Sequence, residues 1–302
     1  MGPLQGGVTE RYGDVARSIA LRAFLLLPIA FVAAFLIAPL GLTIAISFWR
    51  RVGLSVRPAF VFNSYLTFFD SVRFAVLTRS LLVALEATIL SLLIAYPIAY
   101  FLAFKARPNA VRLTLLLFTT PFLVNYVIRA FGWTYLLGRT GPVNALLTSG
   151  GIVNRPLDWL LYSDFSVLVG LISSYMPFMI FPMWLSLAGI DRELIQASWL
   201  LGASPSRTFL SVTLPLSLPG VFAAAVFGFV SCFGESAISV IMGGVGYQLM
   251  GNTITSAMDV LNYPLAAAMS TVVVLTMAVL LLGWYLVFDM RSFLGKVLSW
   301  RA

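Results

Sequence analysis

Six apolar stretches, each long enough to cross a hydrocarbon core of about 30 Å, leave this chain few ways to fold. They run near Phe24 to Phe48, Leu77 to Phe104, Leu113 to Leu137, Phe165 to Gly189, Val221 to Met242 and Pro264 to Phe288. With 60% hydrophobic and only 10% charged residues among 302, and a mean hydropathy of +0.98, the chain has too little polar surface for a soluble globule. The expected fold class is an all-α polytopic membrane protein with six transmembrane helices.

The basic residues set the expected orientation. Arg11, Arg17 and Arg22 precede the first span, Lys105, Arg107 and Arg112 cluster in the second connection, and Arg291, Lys296 and Arg301 follow the last span. The positive-inside rule makes these cytoplasmic, so both termini are expected inside. The chain then divides into a cytoplasmic segment 1–23, a transmembrane domain 24–289 and a cytoplasmic tail 290–302. One region is discordant: Arg50, Arg51, Arg57 and Arg73 fall in the first connection, which this arrangement puts outside. The connection from Gly243 to Asn262 carries no Lys or Arg and supports the arrangement. In this setting a net charge of +8 reflects anchoring at an anionic leaflet of membrane lipid rather than nucleic acid binding. The first span is longer than a signal-peptide core, has no clear cleavage site, and is expected to be retained.

Several chemistries are absent from the sequence. Without histidine there is no Ser-His hydrolase and no His-ligated metalloprotease. The single cysteine, Cys232, forms no intrachain disulfide and no metal cluster. No phosphate-binding loop occurs, so any ATP that drives this chain is bound by another one.

One polar stretch has internal order. From Asp191 to Gly220 the chain reads DRELIQASWLLGASPSRTFLSVTLPLSLPG. Asp191 is an N-cap for a helix from Arg192, and Gly202 after Leu201 is its left-handed stop. Ser204 and Pro205 restart a second helix, which Pro215 is expected to end. On the first helix Leu194, Ala197 and Leu201 share a face, an apolar stripe that calls for a partner.

These residues resemble the EAA loop of type I ABC importer permeases. The match runs through Gln196-Ala197-Ser198, Gly202-Ala203, Phe209, Val212, Leu214-Pro215 and Pro219-Gly220. The resemblance implies the type I ABC importer (MetI-like) permease fold, with residues 190–219 as the coupling loop. It also implies that Glu193, Gln196, Ala197, Ser198, Leu201, Gly202 and Ala203 contact a separate ATPase. The chain departs from the family's Glu-Ala-Ala at Gln196 and Ser198, so the usual charge is missing. Glu193 lies three residues earlier on nearly the same face and is a candidate to replace it.

A second resemblance runs from Thr120 to Trp133, TPFLVNYVIRAFGW, which is similar to the third-span signature of spermidine/putrescine-type permeases. Tyr96-Pro97, Asn63-Ser64-Tyr65, Pro177-Phe178 and Tyr263-Pro264 extend it. The resemblance implies a non-catalytic subunit in a bacterial inner membrane that forms half of a translocation pathway, with the cargo a polyamine or related small amine. An aminophosphonate, an opine or another small solute is the alternative. It also implies an ABC ATPase dimer carrying ATP and Mg, a second related permease in a heterodimer, and a periplasmic or lipid-anchored substrate-binding protein. A secondary transporter or channel subunit is the reading from another class. Against the first of these, no clear internal repeat is found.

Charges at membrane depth are candidate pathway residues, because burying one unpaired is expensive. Glu235 stands where Gly234 interrupts the fifth span and is the candidate to meet a cationic substrate, with an intersubunit ion pair as the other reading. Arg129 sits near Asn125, Tyr126 and Trp133 on the signature span. Glu86 in the second span is read mainly as structural, for instance paired with Arg129. Tyr126, Trp133 and Tyr175 offer cation-π surface, though aromatics are common at membrane interfaces. Tyr65, Asp70, Tyr247 and Asp259 belong to the expected outer side and are candidate contacts for a binding protein. Gly220, Ala224 and Gly228 form a small-residue face on the fifth span that suits close helix contact, within the chain or between subunits.

Overall fold

The computed structural model describes residues 24, 28 and 30–287. The two expected terminal segments, with Arg11, Arg17, Arg22, Arg291, Lys296 and Arg301, lie outside the described residues. The chain divides into two compact units, one comprising residues up to Phe68 with Leu261–Val272, the other Phe69–Val260 with the residues from Val273 onward.

In the first unit a π-helical turn, Ala33–Ile37, feeds α1 (Ala38–Ser47), where Pro39 occupies a first-turn position that needs no N–H donor. Next, β1 (Arg50–Val52) and β2 (Ser55–Arg57) pair antiparallel, with Arg50 opposite Arg57. This hairpin was not expected from sequence, since three-residue strands are too short for alternation to register. The chain returns so that the Val61 N–H donates to the Phe48 carbonyl at 2.9 Å, and α2 (Asn63–Phe68) follows. Phe48 stacks on Phe60 at 4.9 Å and meets the edge of Phe62 at 5.3 Å, while the Ser47 and Tyr65 hydroxyls lie 2.7 Å apart.

The second unit holds α3 (Ser71–Phe104), α4 (Pro108–Leu123), α5 (Tyr126–Leu137), α6 (Pro142–Ser149), α7 (Asp164–Ala188), α8 (Arg192–Leu200) and α9 (Pro205–Thr208). It continues with α10 (Leu214–Phe233), α11 (Ala237–Gly243) and α12 (Met250–Asp259). α13 (Tyr263–Val287) begins in the first unit and ends in the second. The core lies among α3, α7 and α10, where Ala95, Ala99 and Ala224 pack with Met179, Ile180, Met183 and Leu187. Small residues on α3 and α10 leave room for the flexible methionines of α7. At Gly220 the approach is closest: a Cβ there would stand 2.4 Å from the Ser186 Cβ and 2.5 Å from the Pro182 carbonyl. The Gly220, Ala224 and Gly228 face is buried within the chain, which decides between the two packing readings.

Five helices among the described residues are long and apolar enough to span: Ala30–Ser47, Val72–Phe104, Asp158–Ala188, Pro205–Phe233 and Tyr263–Leu286. The expected third span is not among them: its residues form two shorter helices, α4 and α5. At the break Asn125 leaves helical geometry, with ψ at 131°, and its side-chain oxygen accepts from the Val127 N–H at 2.9 Å to start a new helix. The expected fifth span starts earlier than predicted and stops at Phe233, where Gly234 caps it.

Pro215 does not end the second loop helix. From α9 the backbone continues through a π turn, Phe209–Thr213, directly into α10. Pro215 has no N–H to give, and it falls in the first turn of α10, just past the bond from the Leu214 N–H to the Phe209 carbonyl. The wider π turn absorbs the mismatch that a proline would otherwise impose on an α-helix.

Candidate functional site

The polar loop folds as its sequence dictates. The Asp191 carboxylate accepts from the Glu193 N–H at 2.9 Å and starts α8. At the other end Gly202 adopts φ +79°, a left-handed conformation open to glycine at little cost. The Gly202 N–H donates to the Trp199 carbonyl at 2.9 Å and the Ala203 N–H to the Ser198 carbonyl at 3.0 Å, the paired bonds of a Schellman motif. Ser204 then caps α9, accepting from the Arg207 N–H at 3.3 Å.

None of the α8 side chains is buried. Leu194 is 43% exposed and Leu201 88%, and Ala197 is exposed as well, so the expected apolar stripe is uncovered. Trp199 at 53% and Leu200 at 89% enlarge the patch, and the sequence reading missed both because they lie off the Leu194 stripe. Glu193 and Gln196 are exposed beside it, and Ala203 is half-buried under the turn. Ser198 faces inward, 2.7 Å from the Thr208 hydroxyl, and Thr208 is a buried partner that no sequence signal marked. A rigid, capped helix with an exposed apolar tip is suited to insertion into a cleft on another protein.

The charges at membrane depth have separate fates. Glu235 is buried, 6% exposed. One carboxylate oxygen accepts from the backbone N–H groups of Ser236, Ala237 and Ile238, at 3.0, 2.8 and 3.2 Å, and the other accepts from the Tyr175 hydroxyl. Its carboxyl group is thus held at the start of α11 by donors from this chain. Arg129 is half-buried on α5, and its Nε and one Nη are buried without a hydrogen-bond partner among the described residues. Glu86 is exposed on α3, and among the described residues it has neither an ion pair nor a hydrogen bond, so the Glu86–Arg129 pair considered from sequence is not formed. Near Arg129, Asn125 caps α5, Tyr126 is 41% exposed and Trp133 is half-buried.

Of the residues expected on the outer side, Asp70 and Asp259 are exposed and Tyr65 is half-buried. Tyr247 departs from a solvated rim position: it is 6% exposed. Its hydroxyl donates to Asp164 at 2.6 Å and Arg79 lies over its ring at 4.3 Å, while Arg79 also pairs with Asp164 at 3.0 Å. Burial, reinforced by the bond to Asp164, pushes the Tyr247 hydroxyl pKa up. This network ties α3, α7 and the segment before α12 together, and the sequence reading did not find it.

Residues 87–292 match the family model described as the binding-protein-dependent transport system inner membrane component. The chain belongs to this permease family. The permease is 32% identical over 260 residues to the spermidine/putrescine transport system permease protein PotB of Escherichia coli (strain K12), covering 85% of this chain and 94% of that one. It is also 32% identical over 253 residues to PotB of Haemophilus influenzae, covering 83% and 88%. In structure it is similar to a chain of a bacterial ABC transporter that imports the acidic polysaccharide alginate, with a TM-score of 0.70 at 19% identity, covering 90% of this chain and 96% of that one. The expectations of a type I ABC importer permease, multi-pass in a membrane and without catalytic chemistry of its own, are therefore met.

Proposed function

We propose that this permease forms one half of the pathway of an importer for spermidine, putrescine or a closely related small amine. On this reading the chain pairs with a second, related permease, and two copies of an ATPase hold ATP and Mg. A binding protein delivers the cargo on the side opposite the loop, and both termini and the loop are cytoplasmic. The capped, exposed helix α8 carries the proposal for coupling. Its patch of Leu194, Trp199, Leu200 and Leu201 is apolar, rigid and uncovered, with Glu193 and Gln196 beside it to bond at the rim.

The path of force follows the backbone. Closure of the ATPases displaces α8; the Schellman turn and the Ser198–Thr208 contact carry that displacement into α9, and the unbroken helical backbone carries it into α10. Because α10 is packed without slack on α7 at Gly220, the two helices move together. Two discrete arrangements of such a bundle are what alternating access needs. Along the pathway, Asn125, Tyr126, Arg129 and Trp133 form the candidate gate around the break between α4 and α5, and Glu235 fixes the adjoining end of α11.

The similarity to PotB supports the cargo. The test is reconstitution of the purified assembly with its binding protein in liposomes, and measurement of ATP-dependent uptake of labelled spermidine and putrescine beside an aminophosphonate and an opine. Uptake of the polyamines alone fits the proposal. Uptake of another cargo class reassigns the substrate but keeps the importer, and uptake driven by an ion gradient without ATP removes both.

A further inference from the structure

A cavity of about 170 Å³ lies within the first unit, between the hairpin and the start of α13. Its polar lining is Arg50, Arg51, Asn63, Ser64, Thr67 and Asn262, and Trp49 forms part of its apolar wall. The volume is more than ten times the roughly 10–15 Å³ that one water needs, so a polar group of several heavy atoms fits. Two arginines, two carboxamides and two hydroxyls make this lining rich in hydrogen-bond donors, Arg51 also giving its Nε–H to the Gly53 carbonyl at 3.0 Å, and no carboxylate lines the cavity. Arg50 also stands opposite Arg57 across the hairpin. Like charges directly opposite destabilise a strand pair unless an anion lies near them.

The surroundings of the cavity select the anion. α1 ends at Ser47, three residues before Arg50, and α13 begins at Tyr263, one residue after Asn262, so the cavity sits where two apolar helices reach the edge of the hydrocarbon. The same segment carries large apolar side chains that stay mostly exposed even where the rings touch one another: Leu54 at the hairpin turn is 74% exposed, Phe60 76% and Phe62 54%. Arginines interleaved with exposed aromatics at that depth match the headgroup layer, where the rings rest on acyl chains and the guanidinium groups reach phosphate.

We propose that this cavity binds the phosphate of a membrane phospholipid, with the acyl chains lying along Phe60 and Phe62. The site gives the first connection a reason to keep Arg50 and Arg51. It depends only on the chain being embedded in a membrane, not on its cargo or on which side the loop faces.

The test uses the full chain with its co-purifying subunits, stripped of lipid in detergent. Phosphatidylglycerol, phosphatidylethanolamine, a diacylglycerol with the same acyl chains, and inorganic phosphate are each added back. Bound lipid is counted by native mass spectrometry and the thermal midpoint is recorded, so neither transport nor ATP hydrolysis is needed. Both phospholipids should bind and raise the midpoint, diacylglycerol should not, and inorganic phosphate should act only at far higher concentration. R50Q with R51Q should weaken phospholipid binding by about five-fold per arginine, about 25-fold together. R50K with R51K should fall between, and R155Q, an exposed arginine in the other unit, should bind as the unaltered protein does. Equal binding of diacylglycerol, or unchanged binding by R50Q with R51Q, overturns the proposal. Inorganic phosphate binding as tightly as the phospholipids makes the site one for a free anion. If the double variant binds phospholipid normally but loses affinity for the binding protein, the surface is a protein dock instead.

Discussion

The hydroxyls of Ser198 and Thr208 lie 2.7 Å apart and join the two short helices of the loop across the Gly202 turn. Ser198 also donates its hydrogen to the Ile195 carbonyl at 3.0 Å, which leaves Thr208 as the donor between the two hydroxyls. Thr208→Val keeps the shape and removes that donor, weakening the joint by about 1 kcal/mol. The expected outcome is an assembly that forms normally but hydrolyses ATP with several-fold less response to loaded binding protein. ATPase assays of the reconstituted complex check this, and an unchanged response would mean that the joint does not carry coupling.

Gly202 is held at φ +79°, yet a Cβ built there meets nothing within 4 Å. The effect of a substitution is thus conformational rather than steric. Gly202→Val should strain the turn by about 1–2 kcal/mol, whereas Gly202→Asn, which visits the left-handed region more readily, should cost less. Uptake should fall in the order Gly, Asn, Val while the yield of folded chain holds. Equal uptake by all three would show that the turn geometry is not needed.

Gly220 and Gly228 both face α7 but meet different atoms. An added methyl at Gly220 encounters the Pro182 carbonyl at 2.5 Å, whereas at Gly228 it encounters the Met179 side chain, with Sδ at 2.7 Å. Backbone cannot yield and a methionine can. Gly220→Ala is expected to cost about 1–3 kcal/mol and Gly228→Ala clearly less. Thermal unfolding of the two variants in the same detergent compares them directly, and the reverse order would contradict the packing described for α7 and α10.

Glu235 separates a structural from a transport role. Glu235→Ala would leave three backbone N–H groups and the Tyr175 hydroxyl without their acceptor, a loss of about 3 kcal/mol or more, and Tyr175→Phe should cost about 1 kcal/mol. Glu235→Gln keeps an acceptor and should fall between. If stability follows this series and uptake follows stability, Glu235 is an architectural anchor for α11. A Glu235→Gln protein of ordinary stability that no longer transports a cationic amine would make it a substrate ligand.

Much of the loop could be read from sequence because its signals are local. Asp191, Gly202, Ser204 and Pro205 each act on neighbouring backbone groups, and each takes the role its residue type favours. Most of the spans were legible too, since length and apolarity decide them, but the third divides into two helices and the fifth is displaced toward the loop. The break before Asn125 was harder, because an asparagine inside an apolar run reads as a tolerated polar residue until its side chain is seen capping α5. Pro215 misled for a related reason: proline ends a helix only when the backbone cannot widen to receive it. The partners of Glu235 and Asp164 were out of reach, because Tyr175 and Tyr247 lie 60 and 83 residues away and nothing local pairs them.

The π turn at Phe209–Thr213 has a further consequence, in angular phase. A π turn holds one residue more than the α-helix it interrupts, and each α-helical residue advances the chain by about 100° around the axis. The loop and α10 are therefore set at a fixed azimuth by a single surplus residue. Deleting one residue from this turn would straighten the helix and swing α8 about a quarter turn around the axis of α10. The cleft proposed to receive α8 would then meet a neighbouring flank of its lever, although every side chain of α8 would be unchanged.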